Sequence, residues 1–122
     1  MENVRTQSHS LRQYSVSYNN VGNVQVAQRN RPEALNSYQV QLAITDRLAA
    51  ADPSNADRQR DLAVSYAKLA RVFRKAGQLT DGRAALPAGR TIIARLVALY
   101  PAGSQWRNDL AWFDQQIAEL KT

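Results

Sequence analysis

The tightest constraint on this chain is that it repeats itself at an offset of 48, the distance from Tyr18 to Tyr66. Val16, Ser17, Tyr18 and Val24 return as Val64, Ser65, Tyr66 and Val72, and Ile44, Arg47, Leu48 and Pro53 return as Ile92, Arg95, Leu96 and Pro101. A third copy starts with Asp61-Leu62-Ala63 returning as Asp109-Leu110-Ala111, and is cut short. A fixed period of this size marks stacked supersecondary units, each too thin to bury its apolar side alone.

Within each copy the apolar spacing is helical. Leu11, Tyr14, Tyr18, Val21 and Gln25 fall three and four apart, with Gly22 set into the same face, and define a first helix from Ser10. Asn30, Pro32 and Glu33 read as a stop and restart, with Asn30 capping the second helix and Glu33 completing a capping box. That helix carries Leu35, Tyr38, Leu42, Ile44 and Leu48 and ends at Asp52-Pro53-Ser54-Asn55. A third helix, 56–76, buries Leu62, Tyr66, Leu69, Ala70 and Phe73, and Gly77 suits its left-handed C-terminal cap. The matching residue of the first copy is Arg29, so a strained or differently shaped turn is expected there. In the fourth helix Gly82, Pro87 and Gly89 predict a kink near 84–87 or a helix regular only beyond it. The last helix, 104–120, has the stripe Trp106, Leu110, Phe113, Ile117 and Leu120 and covers the end of the stack. Residues 1–9 lack this periodicity and are expected to form a flexible tail ahead of a single helical domain over 10–121.

These residues resemble the tetratricopeptide repeat family. Its aromatic-x2-Leu-Gly-x2-aromatic, Ala-x3-aromatic and Pro pattern is matched by Tyr18, Val21 and Gly22, by Ala34 and Tyr38, and by Pro53. The second copy supplies Tyr66, Leu69, Ala70 and Phe73, then Gly82, Leu86 and Pro101. Gln25, Gly82 and Leu86 depart from the pattern. The period exceeds the family's 34 residues by 14, room for about two extra turns in each helix without rotating the buried face. In this the chain is similar to long-repeat bacterial arrays. The resemblance implies an all-α, right-handed superhelix of two helix pairs plus a C-terminal capping helix. It also implies a concave groove that holds peptides or proteins without catalysis, the chain acting as an adaptor or inhibitor.

Mapped on the family, the groove face contains Asn19 and Asn23 in the first copy, and Arg71, Arg74 and Lys75 in the second. Arginines there give bidentate bonds to carboxylates, and asparagines pin a peptide backbone. Trp112 lies off the stripe of its helix and reads as an interface anchor. The net charge of +6 and pI ≈ 10.2 favour an acidic partner. Thirteen of the sixteen basic residues are arginine and are spread over every helix, so charge alone favours a merely solvated basic surface. Nucleic acid is the rival partner, and self-association through the stack ends or Trp112 is a third reading.

Other functions find little support. His9 is the only histidine, which leaves no catalytic triad or multi-histidine metal site, and no glycine-rich phosphate loop occurs. Asp52, Asp57, Asp61, Asp109 and Asp114 cluster near helix starts, where capping accounts for them. No catalytic residue, metal or cofactor is expected. There is no cysteine, the first ten residues lack a signal-peptide core, and the apolar run 92–100 is too short to span a bilayer. A cytoplasmic protein without a membrane partner is the expectation.

Overall fold

A computed structural model describes residues 4–120 as five helices joined by short turns. They are α1 (Val4–Ala27), α2 (Arg31–Ala51), α3 (Ala56–Lys75), α4 (Leu79–Leu99) and α5 (Ser104–Leu120). No strand occurs among the described residues, and none of these helices is long and apolar enough to cross a membrane. Each helix packs on the next in sequence, as short connections between antiparallel neighbours dictate. Side-chain bonds also run from α1 to α3 and from α3 to α5. The odd helices therefore form one row and α2 and α4 the other.

Two core clusters hold the rows together. Ala34 and Tyr38 of α2 pack with Leu69 and Val72 of α3. On the other side of α3, Ala63 and Ala70 pack with Ala85, Leu86, Ile93 and Leu96 of α4 and with Phe113 of α5. Small residues bring these helices close. A Cβ on Gly89 would stand 2.6 Å from the Phe113 ring and 3.2 Å from the Ala63 carbonyl, so the glycine is what lets α5 seat on α4.

The first helix departs from expectation in two ways. It begins at Val4, so residues 4–9 extend the helix instead of forming a tail; residues 1–3 lie outside the described residues. No glycine or proline interrupts 4–10, and adding turns to an existing helix costs little once it is nucleated. Its buried side is also not the anticipated stripe. Ser15 and Gly22 are buried, whereas Tyr14, Tyr18 and Val21 are 59%, 38% and 47% exposed. Gly22 lies against the Tyr38 ring, and that contact sets the rotation of α1.

Both hairpins turn the same way. Arg29 donates to the Val26 carbonyl (3.0 Å) and Asn30 to that of Gln25 (2.8 Å); Gly77 donates to Arg74 (3.2 Å) and Gln78 to Phe73 (2.8 Å). This is the Schellman pattern, with Arg29 at φ 61° and Gly77 at φ 78°. Arg29 thus adopts the left-handed geometry that glycine adopts 48 positions later, instead of a different turn. Asn30 is occupied by that turn, and at φ −92°, ψ 77° its side chain makes no cap bond to α2. Asn55 does cap α3, accepting from the Arg58 N–H at 3.2 Å. Helix α4 runs unbroken through Pro87. The proline is exposed, as is Arg83 one turn earlier, so the carbonyl that loses its partner lies on the solvent side.

The matched turns give a paired test. Gly77→Ala lowers unfolding free energy by about 1 kcal/mol through backbone strain alone, since no atom lies within 4 Å of the added Cβ. Arg29→Gly raises it by about 0.5 kcal/mol, glycine's larger unfolded freedom offsetting part of the relief. Urea denaturation of the two variants reads both signs.

Candidate functional site

The row α1, α3, α5 carries the polar chemistry. Where α3 faces α5, a groove of about 620 Å³ is lined by Ala67, Ala70, Arg71, Arg74, Lys75, Leu86, Trp112, Gln116 and Leu120. Four residues singled out in the sequence, Arg71, Arg74, Lys75 and Trp112, meet in it. A smaller depression along Val64, Ala67, Lys68, Arg71, Asp109, Trp112 and Phe113 continues the groove between α3 and α5.

Helix α3 presents Arg71, Arg74 and Lys75 within just over one turn, and all three are exposed. They are not equivalent. Arg74 already reaches α5, with its Nη1 3.1 Å from Glu119 Oε2 and 3.3 Å from Gln116 Oε1. Arg71 and Lys75 form no hydrogen bond or ion pair among the described residues, so their charges face solvent across the groove. Trp112 is half-buried; it packs edge-on against Phe113, with centroids 5.1 Å apart and planes at 86°. One side of the indole thus joins the core and the other walls the groove.

Position of the facing helix is fixed by Arg60, whose Nε and Nη2 donate to the Asp109 carboxylate at 2.8 and 3.3 Å. That hydrogen bond holds the guanidinium proton more firmly than usual. Arg90 on α4 pairs with Asp114 and clamps the same helix from behind.

Asn19 and Asn23 do not join the groove. Lys68 donates to Asn19 and, at 3.5 Å, to Asn23, tying α1 to α3. Asn23 also accepts from the Tyr38 hydroxyl at 2.6 Å. Both amides are therefore committed to helix contacts, where a mapping by repeat position alone had them open to a peptide backbone. Lys68 is the residue that sequence reasoning passed over. It stands 5.7 Å from the centre of the Tyr38 ring, and burial followed by the nearby Arg71 charge pulls its pKa down. Its signal was its place one turn before Arg71, facing α1.

Among the described residues no group of three His, Cys, Asp or Glu is placed to hold a metal ion. Comparison with family models, with curated proteins and with solved structures gave no match.

Burial lifts the Tyr38 hydroxyl above its ordinary pKa of 10.0, with Arg71 opposing weakly. The folded chain then keeps a proton that the unfolded chain releases, and stability falls as pH climbs past about 10. Tyr38→Phe should lose about 1 kcal/mol at neutral pH with the Asn23 bond, yet show a smaller loss than the parent between neutral and strongly alkaline pH. Thermal unfolding at stepped pH gives both values.

Proposed function

We propose that the chain is a tetratricopeptide-like recognition module, its helix pairs coiling as a right-handed superhelix. It works without catalysis in the cytoplasm, as an adaptor or inhibitor, and holds an acidic peptide or protein segment along the groove between α3 and α5. The observation that carries this reading is the pair of uncommitted cations, Arg71 and Lys75, beside an apolar floor of Ala67, Ala70 and Leu86 and the Trp112 wall. Such a surface suits an extended segment that alternates carboxylate and apolar side chains, the carboxylates meeting Arg71 and Lys75 and an aromatic or aliphatic group lying on Trp112. The resemblance of the repeat residues to the family points the same way.

Nucleic acid is less well served. Its binding surfaces interleave cations with exposed stacking rings along one track, whereas the exposed Tyr14 and Tyr18 of α1 lie within a run, 13–28, that contains no charge at all.

A fluorescent peptide of alternating Glu and Leu is the probe. Arg71→Glu with Lys75→Glu should weaken its binding at least tenfold, about 1.4 kcal/mol, with the circular dichroism spectrum unchanged. Trp112→Ala should weaken binding by a similar factor. Equal affinity in all three proteins contradicts the groove assignment, and tighter, steeply salt-dependent binding of single-stranded RNA favours the nucleic-acid reading.

A further inference from the structure

The apolar residues that α1 leaves exposed are not scattered. Of the seven large hydrophobics exposed among the described residues, five, Tyr14, Val16, Tyr18, Val21 and Val24, lie on this one helix. Tyr14, Val21 and Val24 share one face with Ser17, and their repeat-mates explain it. At the offset of 48, Tyr14, Ser17, Val21 and Val24 match Leu62, Ser65, Leu69 and Val72 of α3. Those four are 7%, 0%, 3% and 2% exposed. Leu69 and Val72 are covered by Ala34 and Tyr38 of α2, and Ser65 lies 3.0 Å from the Thr45 hydroxyl of α2. The face of α1 turned away from its own hairpin therefore has the composition of a helix–helix seam, and no described residue lies over it.

The opposite end of the stack is finished differently. Helix α5 turns Leu110, Phe113, Ile117 and Leu120 toward the core, and its outer face shows Ala111, Asp114, Gln115 and Ala118 to solvent. One end is polar and one is an open seam.

We propose that α1 is the interface of a twofold homodimer, the open seam of one chain closing on that of another. Electrostatics support a second copy as the occupant. The chain carries a net charge of +6, yet residues 13–28 carry none, so two copies can meet there without opposing cations at the contact. A partner chosen for its acidity finds nothing on this face to read. Nor can another copy offer α2 or α4 instead, because α3 and α5 already cover the seams of those helices. Helix α1 is the only extended apolar face a second copy has free among the described residues. An antiparallel pairing about a twofold axis sets Tyr14 against the partner's Val24 and Val21 against the partner's Ser17, bulk meeting lack of bulk in an isologous contact. The groove between α3 and α5 stays open in both subunits, which would give a dimer two equivalent grooves.

Sedimentation equilibrium decides the matter. The parent chain should weigh twice 13.6 kDa. Val21→Glu with Val24→Glu should return it to the single mass, and so should Tyr14→Lys. All three positions are exposed in the single chain, so circular dichroism should report unchanged helicity. Ala111→Glu with Ala118→Glu, on the polar end, should leave the double mass intact. A parent chain at the single mass at every concentration overturns the proposal and leaves the seam to a foreign helix. A dimer that survives both α1 variants, or that only the α5 variant breaks, overturns it as well.

Discussion

The seam between α2 and α3 is the contact on which the rest of the molecule depends, because it alone joins the first hairpin to the second through a core. Ala34 and Tyr38 meet Leu69 and Val72 there, and beside them Thr45 and Ser65 are 2% and 0% exposed. The two hydroxyls are 3.0 Å apart, and each also reaches a carbonyl of its own helix, at Leu42 and Asp61. Both hydroxyls thus have partners, although two protons must serve three contacts, while Gln41 Oε1 one turn earlier on α2 is buried without one. Apolar packing supplies the affinity between hairpins, and the hydroxyl pair fixes where along α2 the third helix sits.

From that placement the functional surface follows. Once α3 is set against α2, Lys68 reaches back to Asn19 and Asn23, and Arg60 reaches forward to Asp109. Polar contacts tie the odd helices side by side, and between α3 and α5 they add to the apolar contact of Phe113 with the core on α3. A groove remains between α3 and α5, and the cations that no neighbour needs, Arg71 and Lys75, border it. The open seam on α1 has the same origin, since Tyr14, Ser17, Val21 and Val24 keep the composition of the face that α3 buries against α2.

Much of this was legible in the residues, and the failures share a cause. Helices α3 and α5 turn their apolar stripes inward as the spacing implies, because each stripe has a helix to lie against. In α1 the same spacing pointed to Tyr14, Tyr18 and Val21, yet Ser15 and Gly22 are buried instead. Periodicity records every face that a repeat can bury; it does not record which of those faces has a partner. At Arg29, where the residues left a strained or a different turn open, the strained one is found, since side-chain preference gave way to a turn that the hairpin geometry requires. At the groove, Arg71, Arg74, Lys75 and Trp112 could be placed by counting along helices. That Asn19 and Asn23 are spent on Lys68, and Arg74 on Glu119, depends on distances between helices that no spacing rule contains.

If neither hairpin can stand without the other, the chain must open as one unit. Native-state hydrogen exchange on the amides of α2, α3 and α4 measures this directly. The account predicts that the slowest amides of all three helices share one opening free energy, and that it equals the free energy of global unfolding. Slow amides in α3 and α4 that outlast those of α2 by a separate, larger free energy would contradict it, because the second hairpin would then be holding itself together.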